Sequence, residues 1–270
     1  MSAAKEQREK LTWEFPNIGK KAPEQEEKAF AYCEGYKEFL NVAKTEREFV
    51  REAVLRLKEA GYEEFEEGKI YQPGDKVYQI NRKKALLMST FGKRPLEDGV
   101  RINVAHIDSP RLDLKPNPLY EKAEAAYFKT HYYGGIRKYQ WATIPLAMHG
   151  VVILKDGTSM DICIGEKEGD PVFCVTDLLP HLAAQQNERK LKDGIKGEEL
   201  NIIVGSLPYP CEEEDSIKEP VKLLALSILN ERFGMTEKDF LRAEIEFVPA
   251  VKATDVGLDR SLVGAYGQDD

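Results

Sequence analysis

The chain has 270 residues, of which 42% are hydrophobic, and its formal net charge is −8. This composition can build a sizeable core in one large or two modest domains. The acidic balance argues against nucleic-acid binding, and the apolar runs fall short of the roughly 20 residues that span a membrane. The charged N-terminus lacks the apolar stretch of a secretion signal, so we expect a cytoplasmic protein without a membrane partner.

The first part of the chain is predicted to be helical. Apolar residues recur at helical spacing between Glu24 and Val42, which predicts one helix over this range. A second helix is predicted to begin after Thr45, because Thr45 and Glu48 have the spacing of a capping box. Gly61 is expected to follow the end of this helix.

Short apolar and β-branched runs come next and predict three strands, at residues 76–81, 85–90 and 100–105. The third run has the sequence VRINVAH and alternates less than a surface strand would. We therefore expect it to be a central, buried strand of an α/β sheet.

After the Pro-Asn-Pro sequence at residues 116–118 the pattern becomes largely that of β-structure. Asp156 and Gly157 are predicted to form a hairpin turn inside it. In chain order, the predicted elements are strands at 127–133, 144–154 and 160–164, a helix from about Asp177, a helix at 220–233 and a strand at 241–248. This stretch is expected to be a separate module.

The sequence His106-Ile107-Asp108-Ser109-Pro110 stands at the predicted carboxyl end of the buried strand, where open α/β sheets form their ligand crevices. Residues two apart in an extended segment project to the same face, so His106 and Asp108 can act together. Such an imidazole can coordinate a divalent metal through one nitrogen while the carboxylate accepts a hydrogen bond from the other. The alternative is a structural pair, in which the histidine caps the strand and the aspartate forms an Asx turn.

Four segments carry a resemblance to the aspartyl aminopeptidase and aminopeptidase I family. HIDSPRLDLKP at 106–116 resembles the family's first metal-ligand signature, H-T-D-S-P. THYYGGI at 130–136 resembles its Y-G-G-G segment, although Ile136 replaces one glycine and the usual tryptophan and D-R-D-L that follow are absent. LLPHLA at 178–183 resembles its P-H-L-A stretch, and DVGLDRSLVGAYGQDD at 255–270 resembles the segment that leads to the bridging aspartate.

The resemblance implies roles for individual residues. His106 matches the family's first metal ligand, and Asp108 matches the active-site carboxylate that orients this ligand. Asp269 matches the aspartate that bridges two metals, with Asp270 as the alternative. His181 matches a histidine that approaches a metal site, often that of a neighbouring subunit; in many members this histidine lies where the chain has Gln185.

The resemblance also implies an α/β fold, with a mixed sheet of the zinc-exopeptidase type flanked by helices. Residues 1–115 are then the first part of the catalytic domain, residues 116–247 an inserted β-rich dimerisation domain, and residues 248–270 a return to the catalytic domain. The implied partners are peptide substrates and further copies of the chain, assembled into a dimer-based shell.

The implied function is a metal-dependent aminopeptidase, in which two zinc ions activate a water and a glutamate is the general base. Cobalt and manganese suit the same ligands. In the family the glutamate and further ligands follow the bridging aspartate, so we expect this chain to be an N-terminal portion that is inactive alone. The alternatives are a non-catalytic assembly module and a related two-metal deacylase or carboxypeptidase.

Overall fold

The computed structural model of the chain describes residues 2–13, 15, 22, 24–210 and 217–268. Helices α1 (Ala3–Leu11), α2 (Glu24–Val42) and α3 (Glu46–Glu59) come first. The predictions for α2 and α3 are confirmed. Thr45 caps α3 by accepting a hydrogen bond from the backbone N–H of Glu48, and the Glu48 carboxylate accepts the backbone N–H of Thr45 at 3.1 Å.

A small mixed sheet follows the helices. It contains strands β1 (Glu63–Glu64), β2 (Lys76–Asn81) and β3 (Ala85–Thr90), with β1 parallel and β3 antiparallel to the central β2. Arg82 and Lys83 connect β2 to β3 with positive φ angles of 52° and 61°. Two consecutive residues with positive φ match the right-handed twist of the paired strands, which explains this tight hairpin.

A larger antiparallel sheet forms most of the rest of the molecule. Its strands are, in chain order, β4 (Arg111–Lys122), β5 (Ala125–Tyr133), β6 (Leu146–Ile153), β7 (Ser159–Ile164), β8 (Cys174–Val175), β9 (Ile202–Gly205) and β10 (Ala243–Pro249). Their order across the sheet is β7-β6-β10-β4-β5-β9-β8. Strands β11 (Thr254–Val256) and β12 (Leu262–Gly264) form a separate hairpin near the end of the described chain.

Two α-helices and several 3-10 helices connect these strands. Helix α4 (Ala184–Asn187) is a single turn, whereas α5 (Pro220–Phe233) has Pro220 in its first turn and ends at Gly234, as the sequence predicted. Gly234 has a φ of 69°, a left-handed conformation that glycine adopts without steric penalty. The 3-10 helices are Leu96–Asp98, Lys138–Trp141, Leu191–Asp193, Gly197–Glu199 and Glu237–Arg242.

The apolar core lies between the seven-stranded sheet and helix α5. Leu112, Phe128 and Phe247 from the sheet are at most 1% exposed, and Leu229 of α5 packs into the same cluster. Full burial of such a side chain contributes about 1.5–3 kcal/mol. The core therefore fixes β4, β5 and β10, the strands that flank the predicted site.

The prediction of a buried strand at residues 100–105 is wrong. This segment has no regular structure, and Val100, Ile102 and Val104 are 60%, 73% and 88% exposed. Its β-branched apolar residues favour a strand, but a strand also needs a neighbour to accept its backbone hydrogen bonds. Among the described residues, β3 pairs only with β2, and no strand pairs with this segment.

The predicted helix from Asp177 is also wrong. Residues 176–183 have no regular structure apart from a turn at 180–182, and the helix α4 begins only at Ala184. Pro180 lacks a backbone N–H and disfavours the helical conformation of Leu179 before it. The carboxylate of Asp177 instead accepts hydrogen bonds from the backbone N–H of Leu178 and from the side chain of Gln186.

The predicted fold class, mixed α/β with helices flanking the sheets, is confirmed. Strand β4 runs through residue 116, where the module was predicted to begin, and the division of the chain at 115/116 and 247/248 stays a prediction. Across the described ranges, no helix has both the length and the apolar character that crossing a membrane requires.

Candidate metal site

His106 and Asp108 lie together in the irregular segment that leads into β4. Nδ1 of His106 is 2.9 Å from the backbone oxygen of Asp108 and 3.2 Å from its Oδ1 atom. Their side chains are 45% and 33% exposed, so the pair is accessible to a ligand. The pairing that the sequence predicted is therefore present, although it lies in an irregular segment rather than at the end of a buried strand.

The second carboxylate oxygen of Asp108 accepts a hydrogen bond from the hydroxyl group of Tyr133 at 2.7 Å. This hydrogen bond is the main reason that the pKa of Asp108 lies below its usual range, with a smaller contribution from His106. The same bond raises the pKa of Tyr133, whose hydroxyl therefore stays protonated as a donor. Asp108 is consequently an ionised acceptor that contacts both side chains.

The guanidinium group of Arg111 packs over the ring of Tyr133. The two residues are directly opposite each other in the β4–β5 pair, and the guanidinium carbon lies 4.2 Å from the ring centroid. The buried guanidinium group contacts the carboxylates of Glu46 at 2.9 Å, Asp113 at 2.9 Å and Glu246 at 3.5 Å. Burial opposes the charged form, but these carboxylates hold the pKa of Arg111 above its ordinary value.

Glu246, which lies on β10, is the third carboxylate around Arg111. Burial, followed by repulsion from Glu46, raises the pKa of Glu246 to about 8. One carboxylate oxygen each of Glu46 and Glu246 is buried without a hydrogen-bond partner within the described structure. One cation thus faces several carboxylates, and the protonation of Glu246 relieves part of the excess negative charge.

Sequence reasoning missed Tyr133, Arg111 and Glu246 as parts of this site. Tyr133 lies in the quoted YGG segment and Arg111 directly follows the H-I-D-S-P sequence, so both positions carried a signal. Glu246 had no such signal in the sequence, because its approach to Arg111 depends on the neighbouring positions of β10 and β4 in the folded sheet.

A cavity of about 490 Å³ is lined by Ser109 and Pro110, the two residues that directly follow Asp108 in the chain. Tyr266 lines it and donates a hydrogen bond at 3.0 Å to the backbone oxygen of Pro110, which holds the end of the described chain against the site. Its other lining residues are Gly135, Ile136, Arg137, Gln140, Trp141, Gly267 and Gln268. The cavity is large enough for an amino-acid side chain and adjoining peptide groups.

The remaining predicted ligands are not in this arrangement. Asp269, and its alternative Asp270, lie outside the described residues. His181 is exposed in the turn before α4, among the exposed side chains of Leu178, Leu179 and Leu182. The roles proposed for His181 and Asp269 stay predictions.

The residues present fit one ligand of a metal site and the carboxylate that orients it. His106, held at Nδ1 by Asp108, has the arrangement of a histidine ligand with its orienting carboxylate. Over the part of the chain that the structure describes, no group of three or more His, Cys, Asp or Glu side chains could hold a metal ion. The rest of a coordination shell is therefore not among these residues, and they define no catalytic step.

The chain resembles known proteins in both sequence and structure. A protein of Clostridium acetobutylicum named probable M18 family aminopeptidase 1 is 50% identical over 265 residues, which are 96% of this chain and 56% of that protein. The crystal structure of an M18 family aminopeptidase from Thermotoga maritima has a TM-score of 0.88 at 46% identity, over 96% of this chain and 56% of that one. A dodecamer of mApe1 from S. cerevisiae shares the fold, with a TM-score of 0.61 at 18% identity over 86% of this chain and 51% of that one.

The chain spans about half the length of the curated relatives that it matches. The sequence profile of the family described as aminopeptidase I zinc metalloprotease (M18) matches residues 39–270. This match covers the helices α3 and α5, all three sheets and the whole candidate site. The chain therefore belongs to the aminopeptidase I zinc metalloprotease (M18) family.

Proposed function

We propose that this chain is part of a zinc-dependent aminopeptidase that removes the N-terminal residue of peptides. The observation that carries the proposal is the contact of Nδ1 of His106 with Asp108, which leaves coordination of a metal to Nε2. A bound zinc ion would supply an acidified water and a polarised carbonyl group. His106 is then a ligand, and Asp108 keeps its ring in the required orientation.

The peptide is proposed to occupy the 490 Å³ cavity that Ser109 and Pro110 line. Membership of the zinc metalloprotease family supports this assignment, as does the lining of the cavity by Ser109 and Pro110, which directly follow Asp108 in the chain. Asp269 is proposed to be the bridging ligand, since it directly follows the cavity-lining Gln268 along the chain.

Zinc binding by the purified chain tests the metal assignment. Titration calorimetry should detect binding to the wild-type chain and a loss of more than about 100-fold in His106→Ala, since an outer-shell partner alone typically contributes 10- to 100-fold. His131→Ala is the matched control, because His131 is exposed and stacks on Tyr132 rather than on a site residue. Equal zinc affinity in His106→Ala and wild type would contradict the assignment.

The bond that is cleaved needs a separate test. A chimera that continues this chain with the remaining residues of the Clostridium acetobutylicum relative should hydrolyse peptides with a free N-terminal amine. The same peptides with an acetylated amine should remain intact. Cleavage of the acetylated peptides would instead favour the related deacylase reaction, and release of C-terminal residues would favour a carboxypeptidase.

We further propose that the chain assembles into a homo-oligomer and works in the cytoplasm. The dodecameric state of the yeast protein supports the first part, and His181 is then proposed to approach a metal site of another copy. Light scattering measures the assembly, and cell fractionation measures the location. In the assembled chimera, His181→Ala should lower peptidase activity without changing the mass of the assembly; unchanged activity would remove His181 from the site.

A further inference from the structure

The hydroxyl group of Tyr133 lies outside the pair that is proposed to bind metal, yet it contacts the carboxylate of that pair. It donates to Oδ2 of Asp108 at 2.7 Å, while Oδ1 of the same carboxylate lies 3.2 Å from Nδ1 of His106. The two oxygens of one planar group thus contact two different side chains. A change at Tyr133 can therefore rotate the oxygen that contacts His106.

The position of Tyr133 is fixed by its place in the sheet. It is the last residue of β5, directly opposite Arg111 at the start of β4, and the chain reaches Asp108 only three residues before Arg111. The guanidinium group lies 4.2 Å from the ring centroid, in the range of a cation–π contact. Because Arg111 is itself held by Glu46 and Asp113, the ring stacks on a fixed cation.

The geometry also determines which nitrogen of His106 carries a proton. Nδ1 faces the backbone oxygen of Asp108 at 2.9 Å and its Oδ1 atom at 3.2 Å, and both of these atoms are acceptors. Nδ1 must therefore be the donor. In this tautomer the lone pair of the ring is on Nε2, which is the atom that a metal ligand uses.

We propose that Tyr133 is a positioning residue: its hydroxyl group fixes the Asp108 carboxylate, which, together with the backbone oxygen of Asp108, keeps the proton of His106 on Nδ1. The inference deepens the proposed zinc function and rests on it for its purpose. The arrangement itself, from Arg111 through Tyr133 and Asp108 to His106, is independent of a bound metal.

The position of the His106 proton gives a direct test on the full chain without metal. In protein labelled with 15N-histidine, long-range proton–nitrogen spectra distinguish the two tautomers, and His106→Ala assigns the signals. Wild type should show Nδ1 protonated, and Tyr133→Phe should shift both ring nitrogens towards a mixture of tautomers. Identical His106 signals in wild type and Tyr133→Phe would overturn the proposal.

The control for this experiment is Tyr120→Phe, which removes a hydroxyl group at the other end of the same β4–β5 hairpin. It should leave the His106 signals unchanged. Tyr133 is 40% exposed, and its ring remains on Arg111 in Tyr133→Phe, so the variant should fold with only a small drop in its unfolding midpoint from the lost hydrogen bond to Asp108. A similar shift of the His106 signals in both variants would overturn the specific role of Tyr133.

A double-mutant cycle extends the test to zinc affinity. Tyr133→Phe should weaken zinc binding by about three- to tenfold, less than the 10- to 100-fold typical of a direct partner of the ligand. The same substitution should have no effect in a chain that already carries Asp108→Ala, because Tyr133 then has no carboxylate to hold. Equal losses with and without Asp108 would refute positioning through this carboxylate while leaving the zinc assignment intact.

The failures of the two proposals are distinguishable. A wild-type chain that binds no zinc but shows the predicted tautomer shift in Tyr133→Phe would contradict the proposed function and support the positioning role. A chain that binds zinc through His106, with tautomer and affinity both insensitive to Tyr133, would support the proposed function and contradict the positioning role.

Discussion

His149 is a buried histidine of β6, and its imidazole ring contacts one carboxylate from helix α3 and another that follows strand β7. Its Nδ1 atom lies 2.8 Å from the carboxylate of Glu48, and its Nε2 atom lies 3.0 Å from that of Glu166. Glu166 also accepts a hydrogen bond from Lys44 at 2.7 Å. Burial disfavours the charged imidazole, but the two carboxylates raise the pKa of His149 to about 9.

This pKa predicts a pH-dependent stability. The folded state holds the proton up to about pH 9 and the unfolded chain releases it near pH 6.5, so the stabilisation is complete below pH 6.5 and is lost as the pH rises through 9. The change is on the order of 3 kcal/mol. Urea unfolding at several pH values should show this fall in wild type and a shallower slope in His149→Gln; equal slopes would contradict the assignment.

Glu246 predicts a second effect. Its pKa of about 8 lies above the ordinary 4.5, so its contribution to stability is present below pH 4.5 and is lost as the pH rises through 8. Glu246→Gln keeps the neutral form and should raise the free energy of unfolding at pH 7 by about 2 kcal/mol.

The neighbouring Glu244 provides the control for Glu246. Burial opposes its charge, but hydrogen bonds from Arg47 and Lys84 lower its pKa overall. Glu244→Gln should therefore destabilise the chain at neutral pH, opposite in sign to Glu246→Gln. The pKa assignment of Glu246 would be wrong if both substitutions destabilised the fold.

At the scale of elements, the start of helix α3 joins the N-terminal part to the large sheet. Glu48 accepts the backbone N–H groups of Lys44 and Thr45 with one carboxylate oxygen and contacts His149 of β6 with the other. The capping box was predictable, because its two residues are three apart in the sequence. The contact with His149 was not, because it joins residues that are 101 positions apart.

The double role of Glu48 leads to a graded prediction. Thr45→Ala removes one cap interaction and should lower the free energy of unfolding by about 1 kcal/mol. Glu48→Ala also leaves the buried His149 without one of its partners and should cost about 3 kcal/mol. Glu52→Ala is the control, because it breaks only an i,i+4 pair with Arg56 worth about 0.3–0.5 kcal/mol. Equal losses for Thr45→Ala and Glu48→Ala would contradict the second role.

At the scale of the molecule, the apolar core and the N-terminal helices are joined mainly through charged groups. The large apolar cluster draws its members from residues 112–266, and none of them comes from α2 or α3. Ion pairs connect the two parts instead: Lys37 with Asp255, Lys44 with Glu166, Arg47 with Glu244, and Glu46 with Arg111.

This division predicts the order of local opening. Native-state hydrogen exchange should show higher opening free energies for the amides of β4, β5 and β10 than for those of α2 and α3, because burial of apolar surface sets the protection. Residues 100–105 should exchange fastest of all, since no strand of the described chain pairs with them. Strong protection of residues 100–105 would mean that they form the strand that their sequence suggested.

The sequence predicted local features well and long-range features poorly. The capping box, the hairpin turn at Gly157 and the bounds of α5 follow from residues a few positions apart, and the structure confirms them. The proximity of His106 and Asp108 was predicted for the same reason. The absence of a strand at 100–105 and the approach of Tyr133 to Asp108 depend on which strands become neighbours, and residue spacing contains no such information.

The central claim is that Nε2 of His106 binds zinc. X-ray absorption of the zinc-loaded chain tests it most directly, because an imidazole nitrogen at about 2.0–2.1 Å gives a recognisable multiple-scattering pattern. Wild type and the His131→Ala control should both show this pattern, and His106→Ala should lose it. A zinc spectrum that is identical in wild type and His106→Ala would contradict the claim.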